Sequence, residues 1–361
     1  MSEFLSRPGA VEAAEPDAGV AAHYGNPLAE QRALARGEAV VDLSHRGVLT
    51  ITGPDRLSWL HSLTSQNLSG LKPGDSAETL LLAQTGRIEH AIRVVDDGTS
   101  AWLLVEGPET QSLREWLDSM RFMLRVEIAD RSDEFAVIGS LGELPVAAAA
   151  PGGVPLVWVD PWHEVVQGGY QYAGEHEHPA AQWTWRESLI ERSRLGEFAD
   201  VPAAGVLAME ALRIASWRPR RSSEVDDKTI PHELDWMRSA VHLSKGCYRG
   251  QETVAKVHNL GHPPRRLVML HLDGSDSVLP EAGSPVVSGD KQVGRVTSSA
   301  MHWELGPIAL AVLKRTTDPD ATLTVLAGET EVAATQEVIV PVDAGSVAPP
   351  PRLPRLGLSA R

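Results

Sequence analysis

Apolar and polar positions alternate at short period through most of this chain, and helical spacing appears in only a few stretches. Val48-Leu-Thr-Ile-Thr52 alternates as a half-buried strand does, and Gly53-Pro54-Asp55 ends it. Pro54 suits the first turn of a helix and Asp55 suits its dipole. Leu57, Leu60 and Leu63 then recur on one side, predicting a helix that runs to about Asn67. Thr79–Ala83, Ile88–Val95 and Ala101–Val105 read as strands, divided by Gly86 and by the hairpin signal Asp96-Asp97-Gly98. Leu113, Trp116, Leu117 and Met120 fall at i, i+3, i+4 and i+7, which predicts an amphipathic helix over 108–120. Strands near Leu124–Ile128 and Phe135–Ile138 follow. The order αβββαββ over 54–140 implies a compact sheet with helices on one face.

The Ala/Pro/Gly-rich stretch 141–157 marks a boundary, and 183–215 reads as mostly helical. After Pro263-Pro264 the texture changes. Leu267–Leu272, Pro285–Ser288, Val293–Thr297, Ile308–Leu313, Leu323–Leu326 and Val338–Val340 are short apolar runs divided by Gly, Asp and Pro, the pattern of a small antiparallel barrel or sandwich. Residues 1–30 read as a loose arm, and the Pro349-Pro-Pro351 tail reads as disordered.

Composition narrows the class. The 361 residues suit two or three domains, and 42% hydrophobic with 22% charged residues is ordinary for a globular chain. With 33 Lys+Arg against 48 Asp+Glu, the formal charge of −15 argues against non-specific nucleic-acid binding. No apolar run of the length needed for a membrane-spanning helix occurs, and residues 1–22 carry Glu3, Glu12, Glu15 and Asp17 rather than a basic start before an apolar stretch. Cys247 is the only cysteine, so there is no internal disulfide and no cysteine-based zinc or iron–sulfur site. These features lead us to expect a cytoplasmic protein.

Candidate chemistry gathers at Lys245-Gly-Cys-Tyr-Arg-Gly-Gln-Glu252, followed by Lys256. Gly246 and Gly250 allow a tight backbone around the thiol, while Lys245, Arg249 and Lys256 are placed to favour a thiolate. His242, His258 and His262 are candidate bases. The spacing equally allows Cys247 to be a small buried apolar residue in a turn. Arg218, Arg220 and Arg221 form a basic cluster, either a grip for an anionic ligand or a solvated face. His176-Glu-His178, between Gly174 and Pro179, reads as a solvated turn rather than a metal site, and no phosphate loop or dinucleotide fingerprint is present.

The cysteine stretch resembles the K-G-C-Y-x-G-Q-E segment of the YgfZ folate-binding proteins, in the superfamily of the glycine-cleavage T-protein. Asp42-Leu-Ser-His-Arg-Gly47, Ile51-Thr-Gly-Pro-Asp55, Leu63-Thr-Ser-Gln66 and Gly86-Arg-Ile88 resemble the N-terminal half of that family. Leu212-Arg-Ile214, Ile230-Pro-His-Glu233, Gly294-Arg-Val-Thr-Ser298 and Ala309-Leu-Ala311 carry the likeness onward, over about residues 38–340.

The resemblance implies an α+β, three-domain ring like that of the T-protein. Its parts would be a discontinuous folate-binding domain (31–53 and 141–262), a ferredoxin-like domain (54–140), a C-terminal antiparallel β-barrel (263–345) and a disordered tail (346–361). It implies tetrahydrofolate or a related reduced folate as cofactor. It implies iron–sulfur client enzymes as partners, tRNA-modifying ones among them, with neither nucleic acid nor membrane bound directly. Cys247 would be the functional thiol, set among Lys245, Tyr248, Gln251 and Glu252. The folate pocket would draw on Arg46, Glu89, Met209, Arg213, Trp217 and Glu233. Three functions follow: a YgfZ-type protein supporting iron–sulfur enzymes, an aminomethyltransferase of glycine cleavage, and a scaffold in which Cys247 only shapes a turn. Glu89-His90 stands where T-proteins carry an acidic pair that manages a proton on folate, and this favours the first over the second.

Overall fold

The computed structural model describes residues 3–174, 178–275 and 277–348; His176, Glu177 and most of the expected tail lie outside them. The first half of the chain forms β1 Val11–Glu12, β2 Ala21–His23, α1 Pro27–Ala35, β3 Val40–Asp42, β4 Gly47–Thr52, α2 Arg56–Leu63, β5 Ser76–Leu82, β6 Ile88–Asp96, β7 Ser100–Val105, α3 Thr110–Met120, β8 Glu127–Asp130 and β9 Phe135–Ser140. Then come β10 Val157–Val159, β11 Arg186–Glu191, β12 Ala203–Ala204, α4 Val206–Ala215, α5 Arg221–Glu224, α6 Met237–Ala240 and α7 Gln251–Leu260. The last part contains β13 Arg265–Leu272, β14 Pro285–Ser288, β15 Lys291–His302, β16 Gly306–Lys314, β17 Leu323–Ala327 and β18 Thr330–Val338.

Strands β5-β6-β7-β4-β8 form an antiparallel sheet whose alternation feeds two cores. Leu49, Ile51, Leu81, Ile92, Val94, Leu103 and Val105 meet Trp59 and Leu60 of α2 and Leu113 and Leu117 of α3. Val48, Leu80, Leu82, Val95, Trp102 and Leu104 turn the opposite way, into the largest cluster of the molecule. Helices therefore cover one face, as the pattern predicts, and the other face is buried as well.

A second sheet runs β10-β11-β9-β3-β12, antiparallel except for the parallel β12·β3 edge. Two expectations change here. The sheet with α2 and α3 begins at β4, and β9 belongs to the second sheet, so the cuts expected at 53 and 140 both fall one strand too late. Local pattern identifies a strand, but its neighbours are set by pairing across the whole chain. The segment 183–215 is also not mostly helical. Arg186–Glu191 is a strand paired residue for residue with β9, from Arg186↔Ser140 to Glu191↔Phe135, and only Val206–Ala215 is a regular α-helix. Tertiary pairing overrides the local helix preference of Arg-Glu-Ser-Leu-Ile-Glu.

The C-terminal part is a closed barrel, β13-β16-β15-β14-β17-β18. Val268, Leu270, Val286, Ala309, Ala311, Leu323 and Val325 fill it, while Leu267 and Met269 on the same β13 face the central core. Five strands lie over the predicted runs. The sixth is Thr330–Val338, ahead of the run at Val338–Val340, because polar residues break it at Glu331 and over Thr335-Gln336-Glu337 and no long apolar run marks it.

The first thirty residues are packed rather than a loose arm. Phe4 is 1% exposed with its ring 6.1 Å from that of Phe198, and Val20 is fully buried. Asp17 reaches Arg220 at 2.6 Å and His45 at 2.8 Å. Contacts made some two hundred residues away leave no local trace in the sequence.

Candidate functional site

The stretch that carries Cys247 is clamped at both ends. At its start the Lys245 ammonium donates to three carbonyls at and just past the C-terminal end of α2: His61 O, Thr64 O at 2.5 Å and Gln66 O at 2.9 Å. Burial pushes its pKa down to about 8, while the carbonyls supply the acceptors an ammonium needs. Tyr248 is buried with its ring 5.0 Å from that ammonium, and burial pushes its hydroxyl pKa up. Arg249 Nη1 lies 2.5 Å from Glu89 Oε2, and its guanidinium is 5.8 Å from the Trp116 ring.

Gly250 closes the loop at φ +85°. A Cβ there would stand 2.6 Å from Ala83 O and 3.1 Å from the Gly86 Cα, so the loop lies against the β5–β6 turn more closely than any other residue allows. Gln251 and the exposed Glu252 open α7. Between the clamps Cys247 is exposed. The alternative of a buried cysteine is thus overturned. The expected cationic neighbours have partners of their own or lie in solvent: Lys245 is bound to carbonyls, Arg249 to a carboxylate, and Lys256 is exposed on α7.

A second centre lies where the two sheets and α4 meet. Glu187 of β11 is fully buried. Its Oε1 pairs with the guanidinium of Arg46, accepts from Trp185 Nε1 at 2.9 Å, and lies 3.4 Å from Arg93 Nε. Burial alone would raise its pKa, but Arg46 and Arg93 hold it below the usual carboxylate range. Trp183 and Trp185 stack with ring centres 5.3 Å apart and planes 15° from parallel. Arg218 bridges Asp160 Oδ2 at 2.9 Å and Glu78 Oε1 at 2.5 Å, and Trp183 Nε1 donates to the same Asp160 oxygen at 2.8 Å.

Met209, Glu210, Arg213 and Arg220 complete the wall, and the space left among these groups is about 20 Å³, room for about one water. Four buried polar atoms of the wall have no hydrogen-bond partner: Glu187 Oε2, Arg46 Nε, Arg93 Nε and Arg218 Nη1. Polar atoms left unpartnered in a folded core are costly unless a ligand or ordered water meets them.

The residues expected in one pocket are thereby divided. Arg46, Met209 and Arg213 line the central cavity, and Arg213 is tied to Glu210 at 2.7 Å and Glu224 at 3.0 Å. Glu89 lines a separate open cleft of about 570 Å³ with His90, Arg221 and Asp226. In that cleft His90 Nδ1 is 3.1 Å from Glu109. Trp217 packs edge-on against His178 at 4.9 Å with its indole N–H unpartnered. Glu233 is fully buried and bound to Arg265 at 2.8 Å, a structural ion pair near the start of the barrel.

The basic cluster is not a solvated face, because Arg218 and Arg220 are 4% and 5% exposed. His178 is not in a solvated turn either. It contacts Arg238 and the Trp162 ring, and burial pushes its pKa down to about 3. Among the described residues no group of His, Cys, Asp or Glu could hold a metal ion, and no helix is long and apolar enough to cross a membrane.

Glu187, Arg93, Asp160, Trp183 and Trp185 were missed by the sequence reading. Arg93 and Glu187 did carry a signal: on its own face of the strand each is flanked two residues away by apolar side chains, Ala91 and Val95 for Arg93 and Trp185 and Leu189 for Glu187, where only a buried partner makes the charge tolerable.

Comparison with known proteins agrees with this architecture. Residues 20–146 match the GCVT N-terminal domain, and residues 265–343 match the glycine cleavage T-protein C-terminal barrel domain. An aminomethyltransferase of Symbiobacterium thermophilum is 26% identical over 315 residues, 80% of this chain and 81% of that protein. A putative chloroplastic transferase of Arabidopsis thaliana is 30% identical over 314 residues, 80% of this chain and 69% of that protein. The crystal structure of aminomethyltransferase T of the glycine cleavage system from Bartonella henselae superposes with a TM-score of 0.72 at 16% identity, covering 94% of this chain and 96% of that one, and so shares its fold. By its two matched domains and by relatives aligned over 80% of its length, the chain belongs to the superfamily of the glycine-cleavage T-protein.

Proposed function

We propose that this chain is a cytoplasmic, reduced-folate-binding protein of the YgfZ type that supports iron–sulfur enzymes, tRNA-modifying ones among them, with Cys247 as its working thiol. The observation that carries the reading is the presentation of that thiol. Lys245 fixes the loop to the end of α2, Arg249 fixes it to Glu89, and Gly250 seats it on the β5–β6 turn, while Cys247 points to solvent. A backbone held this firmly offers the sulfur to a large partner at small entropic cost.

The central cavity fits the polar edge of a pterin in its chemistry. Glu187 Oε2 is a free acceptor for an amino group or ring N–H, and the unpartnered N–H groups of Arg93 and Arg218 are free donors for ring oxygen or nitrogen. When bound, a reduced folate would supply one-carbon carrier chemistry. The residues around it would hold the ring edge, keep water out and keep Glu187 ionised. As the side chains stand, a ring enters only when some of them turn away.

Two measurements test the proposal. Cys247→Ala should lose rescue of iron–sulfur enzyme activity in a strain lacking this protein while melting as the parent does; full rescue would remove the thiol from the function. Tetrahydrofolate should raise the melting temperature with concentration, as a ligand of the native state does, and an unmoved melting curve would remove the folate.

Aminomethyl transfer is the second reading, favoured by relatives that carry that name. It predicts folate-dependent turnover of an aminomethyl-lipoyl carrier, lost in Glu89→Ala. The Arg249 ion pair opposes it, because it occupies the Glu89 carboxylate that would handle the proton.

A further inference from the structure

The central cavity contains its own competitor for the carboxylate at its centre. Glu187 is a fully buried acid with one unpartnered oxygen, and the guanidinium of Arg46 closes on the other. Of the two arginines at Glu187, Arg93 is held by its neighbours: it stands on β6 with its guanidinium 5.3 Å from the Trp158 ring. Arg46 lies instead in the short connection between β3 and β4, on a backbone that is fixed. Arg46 N donates to Leu43 O at 2.9 Å, and Gly47 pairs with Val105 as the first residue of β4. The turn is tight, since a Cβ on Gly107 would stand 2.4 Å from His45 O. Any opening at this point is therefore a rotation of the Arg46 side chain.

The fold gives that side chain a second place to go. Gly47↔Val105 is the last pair of the β4·β7 ladder, so Arg46 and Glu106 are the residues that stand just beyond it on the two strands. Glu106 is a buried carboxylate whose Oε1 lies 3.1 Å from Arg220 Nε. Burial acts to raise its pKa, yet Arg220, Ser222, Arg93 and Arg46 hold it down at about 2, so it is charged and already feels the Arg46 guanidinium. An arginine with a second buried carboxylate nearby can change partner without leaving either its own charge or an acid stranded, whereas simply breaking a buried pair is costly.

We infer that Arg46 is the gate of the central cavity, closed on Glu187 when the cavity is empty and turned to Glu106 when the hydrogen-bonding edge of a ligand takes Glu187. The inference rests on the folate reading and adds to it the control of that site. The closed state then takes a share of the binding free energy, because a ligand that binds only the open form has its affinity reduced by the fraction of molecules that are open.

The test is calorimetric titration of the full chain with tetrahydrofolate under anaerobic conditions, comparing the parent with Arg46→Met, Arg46→Lys and Glu106→Gln. Arg46→Met removes the competitor yet leaves Glu187 with Arg93 and with Trp185 Nε1; Arg46→Lys is the fallback should that variant fold poorly. Binding should tighten by about tenfold or more in Arg46→Met. Glu106→Gln should weaken binding to the parent but have no effect once Arg46 is Met. Such coupling between the two positions is not produced by two independent structural roles. If folded Arg46→Met binds no more tightly than a parent that does bind, or if Glu106→Gln acts equally in both backgrounds, the gate is wrong and the folate reading stands. If neither parent nor variants bind, the folate reading fails and the gate fails with it.

Discussion

Asp235 offers a prediction whose size follows from its surroundings. It is fully buried at the end of the turn Pro231–Leu234, with φ +54°. Oδ1 accepts from Tyr172 N at 2.6 Å, and Oδ2 has no partner. Burial raises its pKa to about 7 against the lowering effects of the Tyr172 amide, Arg238 and the Ala173 amide. In the unfolded chain an aspartate titrates near 3.9, so a native value of about 7 corresponds to roughly 4 kcal/mol. The sign follows from proton binding. Between the two values the native state holds the proton and the unfolded state does not, so stability is greatest below about pH 4 for this group and falls as pH rises toward 7.

Asp235→Asn abolishes the ionisation, keeps an oxygen for Tyr172 N, and suits the left-handed backbone. In urea titrations it should match the parent to within about 1 kcal/mol at pH 4.5 and exceed it by about 2–4 kcal/mol at pH 8. An equal difference at the two pH values would refute the reasoning, because it would mean that Asp235 carries no pH-dependent cost.

Two further perturbations test the packing around the site. Gly250→Ala should destabilise by more than about 1 kcal/mol in thermal or urea unfolding, because the new Cβ meets Ala83 O at 2.6 Å on a backbone at φ +85°; a neutral result would mean that the loop is not seated on the β5–β6 turn. Asp17→Asn should cost about 3 kcal/mol in urea unfolding at pH 7. Burial opposes the Asp17 charge, but Arg220 and His45 pull its pKa well below the usual value, so its contribution is present above about pH 4 and lost as pH falls further. A variant as stable as the parent at pH 7 would return the first thirty residues to the status of a loose arm.

Much of the fold was legible in the sequence because it is locally encoded. The alternation in Ile88–Val95 and Ala101–Val105 and the helical spacing from Leu113 to Met120 each describe one element against its own core, and each element formed nearly where expected. Lys245–Glu252 was legible in part for the same reason, since its two glycines already indicated a tight turn around the cysteine, while the exposure of the thiol was left to the fold. What the chain alone determined, then, was most strands and helices outside 183–215, the barrel, the T-protein superfamily, and the single thiol.

Only the tertiary structure decided what those segments meet. Pairing placed β4 with one sheet and β9 with the other, made a strand of Arg186–Glu191, and brought Asp17 to Arg220. It also gathered Arg46, Arg93, Asp160, Glu187 and Arg218 from distant segments around one small cavity. The physical reason is the range of the forces involved. Periodicity records the side of an element that leaves water, but a buried charge is tolerated only because of an opposite charge whose position in the sequence is arbitrary, and that partner becomes visible only when the chain has folded.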